Sequence, residues 1–250
     1  MRVLLTNDDG VAAPWLSALA GAFGRAGHAT TVLAPATDQS GTSGALQPIP
    51  IGGEVDIALR PAPDVAADRA WGAERATPSV CVLVGLGGAL DEPVDLVVSG
   101  PNFGWNIGRD VWRSGTVWAA ITAWGMGCPA LAVSGAPVRY ADVDLRALVD
   151  RAVALGEELA AAPTPEVWNL NFPASPAAEW KPPEWTGIAP AERLTDSMIS
   201  VVGDDGDGGR TVRVRQRRDI EVPATPGSDA ERVRSGGIAL SRLRPLDALR

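Results

Sequence analysis

The opening of the chain sets the strongest constraint on its fold. Val3-Leu4-Leu5 is a short apolar run that stops at once in the polar loop Thr6-Asn7-Asp8-Asp9-Gly10. Pro14 stands where a first helical turn accepts it, and Leu16, Leu19, Ala20 and Phe23 recur at helical spacing until Gly27-His28. Residues 29–33 read as a second strand, stopped by Pro35. Strand, helix and strand in this order make a β-α-β unit, which implies a parallel sheet with a right-handed crossover.

The same alternation continues. The pattern predicts a helix of small residues over 78–90, a buried strand over 94–99 and a helix over 114–124 that opens on a serine. A strand over 130–134, an amphipathic helix over 143–161 and a strand over 167–172 follow. Residues 48–78 are rich in Pro, Ala and Gly and give only a weak signal. After about Pro173 the composition shifts to Pro, Trp and charge. There, residues 198–202 and 211–216 read as two strands around a glycine- and aspartate-rich tip at 203–209, hence a hairpin. An isolated hairpin is marginal in water, so this one is expected to pack on another subunit. The expected division is a body at residues 1–180 and a C-terminal hairpin segment at 181–250.

Scarce residues exclude whole classes of chemistry. The one lysine, Lys181, lies in a proline-rich stretch, which excludes a P-loop lysine and speaks against a Schiff base. The one histidine, His28, excludes zinc sites built on several histidines and reads as a helix-end residue. Cys81 and Cys128 are far apart, and neither has an arginine six residues later, so both read as core thiols. A net charge of −8 argues against binding a nucleic acid polymer. The N-terminus carries no secretory apolar run, and no apolar stretch is long enough to span a membrane, so the expected setting is the cytoplasm.

What remains is oxygen chemistry. Asn7, Asp8 and Asp9 follow the first strand, Asp38 and Ser40 the second, and Asn102 and Asn106 the strand at 94–99. In open parallel sheets, ligands bind outside the carboxyl ends of the strands, so these segments are expected to share one rim. Adjacent carboxylates with hydroxyl and amide oxygens suit Mg²⁺ or Mn²⁺, which relieves their mutual repulsion. The plain alternative is a turn that caps the next helix, since Asn, Asp and Gly are the usual turn formers. Ser114-Gly115-Thr116 begins a helix, whose unpaired N–H groups favour phosphate. A simple N-cap is the alternative there.

Taken together, the segments LLTNDDG (4–10), APATDQSG (34–41), DLVVSGPNFGWNIGRD (95–110), SGTVWAA (114–120), PALAVSG (129–135) and VWNLNFP (167–173) resemble the SurE family of survival-protein nucleotidases. The resemblance covers most of residues 1–173; Ser228-Asp229 and residues 237–243 follow the family only loosely. It implies an α/β, Rossmann-like, mostly parallel sheet with helices on both faces and a C-terminal β-hairpin arm for oligomerisation, as homodimer or homotetramer. It implies a divalent-metal-dependent phosphatase acting on nucleoside monophosphates or a related small phosphomonoester, with one Mg²⁺ or Mn²⁺ per subunit. By motif position, Asp8, Asp9, Ser40 and Asn102 are the metal ligands. Asn106 and Ser114-Gly115-Thr116 are the phosphate-binding groups, and Asn7 lines the site.

This chain also departs from the family. It holds nine Trp against three Phe and one Tyr. Trp15 and Trp118 stand where the family usually has a small residue, and Arg113 stands where it usually has Tyr. With Trp105 they are expected to line an altered substrate pocket, the rings stacking on a planar group and Arg113 facing an anion; core filling is the plainer reading. Two other functions remain open: a non-catalytic protein that binds a phosphorylated ligand, and a nucleotide-sugar glycosyltransferase, for which 250 residues is short.

Overall fold

The computed structural model describes residues 1–46, 49–90, 92–136, 144–190, 195–204, 209–218 and 224–243. The opening unit is β1 (Arg2–Thr6), α1 (Pro14–Arg25) and β2 (Ala29–Pro35), with β1 and β2 parallel. β3 (Leu59–Pro61) and β4 (Arg69–Ala73) come from the stretch whose composition gave little signal. α2 (Pro78–Val84), β5 (Leu96–Phe103), α3 (Gly115–Gly125), β6 (Ala130–Gly135), α4 (Leu145–Ala160) and β7 (Val167–Asn171) complete the alternation. β8 (Lys181–Trp185), β9 (Thr195–Asp204), β10 (Arg210–Arg218), α5 (Asp229–Arg234) and β11 (Gly237–Leu243) follow.

Nine strands form one sheet in the order β3-β4-β2-β1-β5-β6-β7-β11-β8. The run from β4 to β7 is parallel throughout, while β3 and β11 enter antiparallel to their neighbours β4 and β7. Successive residues of a strand face opposite sides, and the core divides accordingly. Val3 and Leu5 of β1 join Leu16, Leu19 and Phe23 of α1 and Leu148, Leu155 and Leu159 of α4. Leu4 points the other way, to Val80 and Val82 of α2 and Val117 and Ile121 of α3. Helices on both faces bury both sides of the central strands, which is why those strands read as unbroken apolar runs. The fold is therefore the Rossmann-like sheet expected from the sequence, with a separate antiparallel hairpin of β9 and β10. Among the described residues no helix is long and apolar enough to cross a membrane.

Three local features refine the expected pattern. Helix α2 is α-helical to Val84 and continues as a π-helical turn over Gly85–Ala89, close to the expected end at 90, with a kink at Gly88, whose φ is 106°. Strand β5 runs on through Asn102 to Phe103, pairing Asn102 with Ser134 of β6, although its glycine and asparagine content reads as a loop. The stretch after residue 180 supplies β8 and β11 to the main sheet as well as the hairpin. Part of the expected hairpin tip, residues 205–208, lies outside the described residues, as does Val143 at the expected start of α4.

Both thiols are free and buried, as expected of core residues. Burial pushes Cys81 up to about 12 and Cys128 up to about 11, so neither is a thiolate near neutrality. His28 follows the end of α1 and lies 2.9 Å from Glu157 Oε1 of α4, pinning that helix end.

Candidate active site

β2, β1 and β5 are neighbours in the sheet, so the loops at their carboxyl ends meet on one rim. The loop after β1 closes on itself. Asn7 Nδ2 donates to Gly10 O at 3.1 Å and its Oδ1 accepts from Gly10 N at 3.2 Å. The loop after β2 is seated on it, with Gln39 N donating to Asp8 O at 2.7 Å. Within that second loop, Ser40 N donates to Asp38 Oδ1 at 2.7 Å and the Ser40 side chain stands exposed. On β5, Asn102 Nδ2 donates to Gly104 O at 2.6 Å, so its Oδ1 is the atom left to coordinate.

Asp8 is buried against the start of α3. Thr116 Oγ1 donates to Asp8 Oδ1 at 2.8 Å. A Cβ on Gly115 would lie 3.0 Å from Asp8 Oδ2, so a larger residue there would push the carboxylate aside by a few tenths of an ångström. Burial raises the Asp8 carboxyl above its ordinary value despite the Thr116 bonds. Asp9 is pushed up to about 6, first by burial and then by the charge of Asp8, while the Trp15 hydrogen bond opposes the rise. Asp38 adds like charge to both. No described cationic side chain forms an ion pair with Asp8 or Asp9. Two mutually repelling carboxylates, a hydroxyl and an amide oxygen make a hard, anionic donor set that fits a divalent cation of the Mg²⁺ or Mn²⁺ kind. Among the described residues no three His, Cys, Asp or Glu gather in a metal-binding group.

Asn106 is the most heavily fixed residue of the rim. Its Nδ2 donates to Ser134 Oγ at 2.8 Å. Its backbone N–H donates to Asn171 Oδ1 at 2.9 Å, and its carbonyl accepts from Asn169 at 2.8 Å and Asn171 at 3.1 Å. Two hydrogens on Nδ2 leave one for a ligand. The Ser114-Gly115-Thr116 segment is partly committed elsewhere. Ser114 Oγ caps α3 by accepting from Val117 N at 3.1 Å, and the Thr116 hydroxyl serves Asp8. The N–H of Gly115, at the first position of α3, has no intrahelical acceptor.

The residues expected around a substrate pocket are also engaged. Trp15 Nε1 donates to Asp9 Oδ2 at 2.9 Å. Trp105 Nε1 donates to Phe172 O at 2.7 Å, and Trp118 Nε1 to Trp112 O at 2.9 Å. The Trp118 ring supports the Ser40 loop from beside Gly44, where a Cβ would lie 2.8 Å from Cε3. The side chain of Arg113 is exposed, and its carbonyl accepts from Ser43 Oγ at 3.0 Å.

Sequence reasoning missed Asn169, Asn171 and Asp229. The chain has five asparagines, and the two not read as site residues sit inside β7, from which they hold Asn106. Asparagine in the middle of a buried strand was the available signal. Asp229 is fully buried; its Oδ2 accepts from Gly108 N at 3.0 Å and its Oδ1 from Ala189 N at 2.9 Å and Ala230 N at 2.8 Å. It thereby ties the loop after Asn106 to the C-terminal segment across 121 residues of chain.

A sequence model of the family described as "Survival protein SurE" matches residues 3–193. A protein from Synechococcus sp. (strain RCC307) named 5'-nucleotidase SurE is 36% identical over 253 residues, covering 98% of this chain and 89% of that protein. Another of that name from Xanthomonas campestris pv. campestris (strain 8004) is 35% identical, covering 96% and 88%. The crystal structure of the SurE protein from Aquifex aeolicus superposes with a TM-score of 0.77 at 25% identity, covering 98% of this chain and 93% of that one.

Proposed function

The chain belongs to the SurE family, and from that premise we propose that it is a 5'- or 3'-nucleotidase that hydrolyses nucleoside monophosphates or a closely related small phosphomonoester. Asp8, Asp9, Ser40 and Asn102 would hold one Mg²⁺ or Mn²⁺ per subunit. The observation that carries the reading is the Asp8-Asp9 pair at the sheet rim, Asp8 buried and Asp9 half-buried, with both carboxyls raised and no described cation paired with them. The names of the relatives supply the reaction class.

A divalent cation there supplies Lewis acidity toward the phosphoryl group and the attacking water. The chain's own residues supply position. Thr116 fixes Asp8, and the Asn7–Gly10 bonds keep the acid loop closed. The free hydrogen of Asn106 Nδ2 and the N–H of Gly115 are donors for phosphoryl oxygens, whose charge spreads in the transition state. Because the Asn106 backbone is held from β7, its donor needs no reorganisation as that charge develops.

The hairpin supports a homodimer or homotetramer. Val212 pairs with Val201 and Val214 with Ile199, which puts all four on one hairpin face. They are exposed by 52%, 60%, 59% and 70% respectively. A second copy would cover that stripe. Sedimentation is expected to give a dimer or tetramer; a monomer at micromolar concentration contradicts this part.

A phosphate-release screen over nucleotides and small phosphoesters, with and without Mn²⁺, tests the activity. Release is expected to stop with EDTA and return with Mn²⁺ or Mg²⁺. Activity untouched by chelation, or nucleotide binding without turnover, contradicts the proposal.

A further inference from the structure

We infer that Trp15 is a positioning residue for Asp9: its indole N–H holds Oδ2 of the carboxylate and leaves Oδ1 turned to the cation site. The inference rests on the divalent-cation reading above. The two acids are not restrained alike. Asp8 is fixed by Thr116 and by the packing of Gly115. The Asp9 carboxylate has one hydrogen-bond partner among the described residues, the Trp15 indole at 2.9 Å.

Trp15 is itself well held. It lies in the first turn of α1, partly buried against the core. Its ring meets Phe103 edge-on, with centroids 5.3 Å apart and planes at 77°. Phe103 follows Asn102 at the end of β5. The indole therefore braces the acid loop against the strand end that carries the amide ligand. A hydrogen bond to one oxygen of a ligating carboxylate fixes which oxygen coordinates and in what direction, and outer partners of this kind typically contribute about 10- to 100-fold to metal affinity. The stacking surface expected from the sequence is a different task. Here the polar edge of the ring does the work, and its edge-on contact with Phe103 sets the orientation.

Two substitutions separate donor from bulk. Trp15→Phe keeps a ring against Phe103 and removes the N–H; Trp15→Gln removes the ring and returns an N–H at similar reach. The readout is equilibrium Mn²⁺ binding to the full chain without substrate, followed by the electron paramagnetic resonance of free Mn²⁺. Trp15→Phe is expected to weaken Mn²⁺ binding about tenfold or more while its melting stays cooperative. Trp15→Gln is expected to recover most of the affinity even at a lower melting temperature. Unchanged affinity in Trp15→Phe, or equal losses in both variants, overturns the positioning role and leaves the cation reading standing. An unaltered chain that takes up no Mn²⁺ overturns both.

Discussion

Asp229 and Asp8 are buried carboxylates near opposite ends of the sequence, Asp8 with half-buried Asp9 beside it, and their surroundings differ in kind. Asp229 receives backbone N–H groups from three places, at 2.8 to 3.0 Å. Its desolvation is offset by bonds that also pin three segments together. Asp8 receives the Thr116 hydroxyl and backbone N–H groups of Thr116 and its own residue, and Asp9 only the Trp15 indole; the two repel each other and sit raised above their ordinary values. The first arrangement stabilises the metal-free fold. The second weakens it and leaves oxygen acceptors facing the rim, where a cation would complete it.

Substitution should separate the two regions by sign. The largest effect is expected for Asp8→Ala and Asp9→Ala, which should lower phosphate release by about a hundredfold or more, at least the loss typical of an outer-shell partner, without lowering the melting temperature. Asp229→Ala should do the reverse. It leaves three N–H groups unpaired and is expected to cost about 3 kcal/mol, or roughly 6–12 °C of melting temperature, as read by calorimetry. A stable Asp229→Ala, or an Asp9→Ala that melts early, breaks the comparison.

A smaller effect of opposite sign sharpens it. Asp9→Asn removes the charge and keeps the shape, so the metal-free protein is expected to melt about 2–4 °C higher while losing Mn²⁺ binding. The pH dependence follows from the same group. The folded Asp9 carboxyl lies at about 6 against an ordinary value of 3.8, so between those values the folded state binds the proton more tightly. Its contribution to metal-free stability is full below 3.8 and is lost as pH rises through about 6. Scanning calorimetry should show this decline in the unaltered chain and a flatter profile in Asp9→Asn. Stabilisation by Mn²⁺ should be small at pH 4 and grow above pH 6, as the proton stops competing.

The parallel core and the acid loop were legible because both rest on local contrast. Val3-Leu4-Leu5 breaking into Asn7-Asp8-Asp9 marks a buried strand end, and helix spacing marks α1, α3 and α4. β3 and β4 were not legible among Pro, Ala and Gly. β8 carries Pro182 and Pro183, which an edge strand tolerates because only one of its sides needs a ladder. The supports of the site were hidden for another reason. The bonds from Asn169 to Asn106 and from Asp229 to Gly108 span 63 and 121 residues, and no local pattern encodes a contact at that distance. Trp15 was visible as an unusual residue, but which edge of its ring would be used depends on Phe103, 88 positions later.

The claim on which the rest depends is that the rim acids hold a divalent cation together with Ser40 and Asn102. Anomalous diffraction from a crystal soaked in Mn²⁺ tests it most directly. The expected result is one strong peak within coordinating reach of Asp8, Asp9, Ser40 and Asn102. No peak there, or a peak at another place on the molecule, contradicts the account.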